Sequence, residues 1–162
     1  MSEANTTERE LTEAEKRDNV IRLAFDGDPE KLEVFIQLIK KYLPENTAVV
    51  LRGSAVTGFR WKDKAPFDAD GPGTSDLDLT LVGHRILEYY KVTGFFVPGV
   101  HSRPLSDEDP DIAPELVPLR RQLMDMVKRP VNIQGTRDVV MYLRGELIGQ
   151  PYLTLVEEAD VE

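Results

Sequence analysis

Between Thr74 and Val82 the chain reads Thr-Ser-Asp-Leu-Asp-Leu-Thr-Leu-Val. Apolar residues fall on every second position, the period of a strand with one buried face rather than of a helix. Leu77, Leu79 and Leu81 belong to one side, and Asp76, Asp78 and Thr80 to the other. Residues two apart on a strand are separated by roughly 6.5–7 Å, so the carboxylates of Asp76 and Asp78 can bend toward one divalent ion. Mg2+ (or Mn2+) suits such a pair, because Mg2+ takes oxygen ligands at about 2.0–2.1 Å and commonly uses only one or two carboxylates beside substrate phosphates. Taken alone, Asp-Leu-Asp also describes a half-buried strand whose polar face meets water.

Upstream, Ala48–Arg52 (Ala-Val-Val-Leu-Arg) is a second strand candidate that runs straight into Gly53-Ser54-Ala55. Such a junction brings backbone N–H groups to a phosphate. Glycine allows close approach, and a helix starting there supplies free donors and the positive end of its dipole. A phosphate cradle and an acidic metal pair are the two halves of a phosphoryl- or nucleotidyl-transfer site. Further along, Phe59-Arg60-Trp61-Lys62-Asp63-Lys64 is basic and aromatic. Arg60, Lys62 and Lys64 can hold a triphosphate and Trp61 can stack on a base; the same residues also fit a solvated loop.

Leu-Arg-Gly-Ser-Ala-Val-Thr-Gly at 51–58, followed by Ser-Asp-Leu-Asp-Leu at 75–79, resembles the signature of the nucleotidyltransferase superfamily, the group that includes DNA polymerase β. The likeness spans Val49–Val82, about a fifth of the chain. It implies an α/β (α+β) domain, a mixed β-sheet with helices packed mainly on one face. It implies transfer of a nucleoside monophosphate from an NTP such as ATP to an acceptor hydroxyl, with Mg2+ or Mn2+. Asp76 and Asp78 are then the catalytic, metal-binding residues, and Arg52, Gly53, Ser54 and Lys62 the nucleotide-binding ones. The chain departs from the family pattern twice. Twenty-one residues lie between Ser54 and Asp76, a long spacer. The third carboxylate of the family, by motif and order, falls on Val131-Asn132-Ile133, where this chain has Asn132. An asparagine carries no charge and cannot take a proton from an attacking hydroxyl. Two readings follow. One is an active transferase that uses another base, with Asp68 and Asp70 as candidates, or none. The other is a nucleotide-binding or partner-binding domain that keeps the fold.

The 162 residues suit one domain, expected over 8–156, between a frayed start at 1–7 and a loose acidic tail at 157–162. A formal net charge of −9 opposes approach to a nucleic-acid backbone, so a small-molecule or protein acceptor is expected rather than long nucleic acid. There is no cysteine, which excludes disulfides and thiolate metal sites and fits a cytoplasmic protein. No stretch is long and apolar enough to span a bilayer. Helices are expected over Glu8–Phe25, over Pro29–Tyr42 with Asp28 as cap, over Ile112–Arg129 and over Asp138–Glu146. A short helix is expected within Gly83–Lys91, a short strand or apolar loop within Val92–Val100, and a polar loop over His101–Pro114. Strands are expected at 131–134, closed by Gly135-Thr136, and at Tyr152–Val156. His84 and His101 stand alone, outside any metal-ligand spacing.

Overall fold

A computed structural model describes residues 11–60, 62–137 and 150–157. Helix α1 (Glu13–Ala24) opens on a capping box: the Thr12 hydroxyl accepts from the Glu15 N–H, and the Glu15 side chain accepts from the Thr12 N–H. Helix α2 (Pro29–Lys40) has Asp28 as N-cap, its carboxylate accepting from the Glu30 N–H, with Pro29 at the first helical position. Strand β1 (Ala48–Arg52) leads into α3, a single turn at Ser54–Thr57. After the spacer come β2 (Leu77–Val82), β3 (Phe95–Val97) and β4 (His101–Ser102), then α4 (Val117–Val127), β5 (Val131–Thr136) and β6 (Tyr152–Val156).

The strands form one mixed sheet in the order β3-β4-β5-β2-β1-β6. β2 runs antiparallel to β1 and parallel to β5, which places the two motif strands and the Asn132 strand side by side. Register then sorts the side chains. Val49 and Leu51 lie level with Leu81 and Leu79, and Leu77 and Leu79 with Val131 and Ile133. This apolar face shares one core with Val20 of α1, Leu32, Phe35 and Ile39 of α2, and Leu119 and Leu123 of α4. Phe25 and Phe35 meet edge to face at 5.0 Å, a geometry favoured by the ring quadrupoles. The opposite face carries the row Arg52–Asp78–Asn132, one residue from each strand.

Several expectations change in detail. The third long helix does not begin at Ile112. Ala113 is not helical (φ −141°, ψ 76°), Pro114–Leu116 makes a 3-10 turn, and α4 starts only at Val117, with Pro118 in its first turn. It ends at Val127 because Lys128 turns left-handed (φ 58°), so Arg129 leaves the helix to enter the strand. Gly135 and Thr136 do not close β5 but belong to it. Gly135 is required there: a Cβ would stand 2.9 Å from the Tyr90 ring. The short helix expected within Gly83–Lys91 is a 3-10 helix at Arg85–Tyr89. The expected polar loop after Val100 contains β4, and Leu105 bridges to Ile133. The helix expected over Asp138–Glu146 and the side chain of Trp61 lie outside the described residues. Among the described residues no helix is long and apolar enough to cross a membrane.

Candidate functional site

The end of β1 and the start of β2 meet in one cleft of about 440 Å³. Antiparallel pairing sets Arg52 opposite Asp78, so the glycine that follows Arg52 comes down on the Asp78 carboxylate. Gly53 has φ 103°, a conformation rarely open to other residues, and a Cβ there would lie 3.2 Å from Asp78 Oδ2. This close approach is what the glycine permits. Ser54 opens α3 and is buried in the cleft floor. The expected helix is only four residues long, so its dipole is slight; what the turn contributes is its leading N–H groups and the Ser54 hydroxyl. Asn19 of α1 holds the turn in place, donating its amide to the Val56 carbonyl at 2.9 Å.

Asp76 lies one residue before β2 and Asp78 within it, and both are half-buried. Their carboxylates converge on one atom. Asn132 Nδ2 donates to Asp76 Oδ2 at 2.8 Å and to Asp78 Oδ1 at 3.0 Å. The strand register puts Asn132 level with Asp78, beside the acid pair. Burial, with the charge of Asp76 added, pushes the Asp78 carboxyl above the usual range; Arg52 and the Asn132 amide pull the other way. Two like charges thus share a desolvated floor with a neutral donor between them. Among the described residues no three histidine, cysteine, aspartate or glutamate side chains are grouped to hold a metal.

The spacer folds back as a tight hairpin, with Phe59 bridged to Pro66 and the Arg60 N–H donating to the Ala65 carbonyl at 2.7 Å. It brings Arg60 and Lys62 to the cleft. Lys64 does not join them; its ammonium sits over the Phe59 ring at 5.0 Å. Arg60 is engaged by Asp63 (3.1 Å) and Asp70 (3.0 Å). The two spacer carboxylates named as candidate bases have other work. Asp70 pairs with Arg60 at the exposed rim. Asp68 accepts from Arg129 at 2.8 and 3.2 Å and from the Gly73 and Ser75 N–H groups, and Arg129 lowers its pKa to about 2. A carboxylate so firmly ionised is a poor proton acceptor. Thr74, Ser75 and Gln150 also line the cleft. The sequence assigned none of them a site role: Thr74 and Gln150 belong to no motif, and Ser75 entered only as the residue that opens the Asp76–Asp78 motif. His84 is exposed, the His101 ring is 2.8 Å from the Thr136 hydroxyl, and neither lines this cleft.

Comparison with family models, with curated proteins and with solved structures returned no match to this chain.

Proposed function

We propose that this protein is a metal-dependent nucleotidyltransferase that moves a nucleoside monophosphate from an NTP to an acceptor hydroxyl. One observation carries the reading: the Asp76 and Asp78 carboxylates converge beside the Gly53-Ser54 turn in a single cleft that Arg52, Arg60 and Lys62 also line. The donor set fits a hard divalent cation. Two carboxylate oxygens already point at one atom, and their mutual repulsion is the kind that a 2+ charge relieves. Asp76 and Asp78 would hold Mg2+ or Mn2+, which supplies neutralisation of phosphate charge and a lowered pKa for the attacking hydroxyl.

The chain's own groups do the rest. Gly53 and Ser54 receive the outer phosphates by N–H and hydroxyl, and Arg52 and Lys62 balance their charge. The acceptor oxygen bonds to the α-phosphorus. The bond from that phosphorus to the bridging oxygen breaks, and pyrophosphate leaves with the electron pair. The hydroxyl proton passes to water, because Asn132 cannot accept it. General-base catalysis is typically worth about 10²–10⁴-fold, so turnover is slow.

A second reading has its own support. Asn132 donates to both carboxylates at once, occupying oxygens that a cation needs. On that reading the domain binds nucleotide or a partner and has lost the chemistry. Mass spectrometry after incubation with Mg2+, the four NTPs and a cell extract separates the two. Transfer of a nucleoside monophosphate, accelerated in Asn132→Asp, supports the transferase. Nucleotide bound but never consumed, by wild type or Asn132→Asp, supports the binding domain.

A further inference from the structure

A second cleft of about 410 Å³ opens on the other side of the acid pair. Asp76 lines both clefts, and Asn132 lines the second. Asp76 therefore lies between a chamber lined by Arg52, Arg60 and Lys62, whose cations can balance phosphate charge, and another of different character. The walls of the second chamber come from Phe96 of β3 and from the loop after β4, with Arg103, Ser106 and Glu108. Phe96 is 55 % exposed, unusual for a large aromatic, and lines the cavity. Four acidic residues line this space, Asp76, Asp107, Glu108 and Asp109, against one lining cation, Arg103. Arg103 is already bound to Asp109 at 3.1 and 3.2 Å and to the Thr93 carbonyl at 2.8 Å. Arg120 reaches Asp107 from behind at 2.8 Å. Glu108 is exposed and makes no ion pair among the described residues. With both arginines counted, the chamber stays negative. It offers an anion no uncommitted cation, and it offers an ammonium group both an open aromatic face and a carboxylate.

We propose that this second cleft is the acceptor subsite, and that it takes a small hydroxyl-bearing ammonium compound, an amino alcohol, whose cationic end rests against Phe96 and Glu108 while its hydroxyl is turned to Asp76. The proposal deepens the transferase reading and rests on it for the fate of the hydroxyl; the occupancy of the cleft is measurable separately. It also gives a role to Glu108 in the loop that the sequence marks only as polar.

The test is an NMR titration of the 15N-labelled full chain with two probes of similar size and opposite charge, choline and glycerol 3-phosphate. Choline should shift the amides of Ser106, Glu108 and Asp109 and the side-chain amide of Asn132 with one saturable affinity, and glycerol 3-phosphate should leave them unmoved. Phe96→Ala, at an exposed position that does not threaten folding, should weaken choline about threefold to thirtyfold, the range of a lost cation–π contact. Glu108→Lys should weaken it further while Mg2+-ATP still shifts Gly53 and Ser54. If glycerol 3-phosphate moves these amides as strongly as choline, if neither probe moves them, or if both variants bind choline as wild type does, the proposal is overturned. If choline docks as described but Mg2+-ATP leaves Gly53 and Ser54 unmoved, the transferase reading fails and the ammonium site stands.

Discussion

At the scale of single residues, the site trades stability for chemistry. Asp78 sits in a desolvated place next to Asp76, and its raised pKa fixes the sign of the effect. The folded protein holds the proton more tightly than the unfolded chain does. No penalty exists well below the ordinary carboxylate value; it grows as pH rises from there through the raised value, and is complete above it. Asp78→Asn should therefore raise the urea midpoint at neutral pH, leave it unchanged in strong acid, and abolish metal-dependent nucleotide binding. Asp68 has the opposite sign. Its pKa falls from 3.8 to about 2 because Arg129 bonds to it. Its contribution is present above 3.8 and is lost as pH falls through about 2. Allowing for solvent screening, Asp68→Asn should cost on the order of 1–2 kcal/mol at neutral pH, with the loss fading in acid in a urea series. Asn132→Asp gives up two hydrogen bonds to charged groups and adds a third like charge. Without metal it should lose about 2 kcal/mol or more, and Mg2+ should restore more stability to it than to wild type in thermal melts.

At the scale of elements, the site depends on register. Pairing of β1 with β2 and of β2 with β5 lines up Arg52, Asp78 and Asn132, and a slip of one residue in any of these strands would turn its member of the row toward the core. The strands that set this register were legible in the sequence because each carries alternating or continuous apolar residues, and Asp28 and Pro29 announced α2 by their chemistry. The row across the sheet was legible only in part. Motif order placed Asn132 in the third position, but no periodicity reports that its amide spans both carboxylates. The role of Asp68 was hidden for the same reason: its partner Arg129 is distant in sequence. Pro114 and Pro118 misled the helix boundary, because the apolar stripe runs through residues that proline and the non-helical Ala113 keep out of the helix. The two-residue strand β4 is too short for any pattern. Gly135 read as an end of β5 because glycine usually punctuates; here it makes room for Tyr90, whose hydroxyl donates to the Ile133 carbonyl at 2.7 Å. Gly135→Ala should overpack that contact and lower stability by about 1–3 kcal/mol, measured by urea denaturation, with Tyr90→Leu relieving part of the loss.

At the scale of the whole molecule, a chain of net charge −9 gathers Arg52, Arg60 and Lys62 at one cleft and leaves the neighbouring cleft acidic. The sheet is the partition. Its apolar face binds the helices into one core, and its other face carries the acid pair to the place where the chambers adjoin. The central claim is that Asp76 and Asp78 act with the Gly53-Ser54 turn on one metal-nucleotide complex. Calorimetric titration with ATP, with and without Mg2+, tests it most directly on wild type, Asp78→Ala and Gly53→Val. Saturable binding to wild type that needs Mg2+ is expected. Asp78→Ala should lose the metal dependence, and Gly53→Val should lose binding, because its side chain meets Asp78 and its backbone is strained. Equal ATP binding by all three proteins, whether or not Mg2+ is present, would contradict the assignment of this cleft.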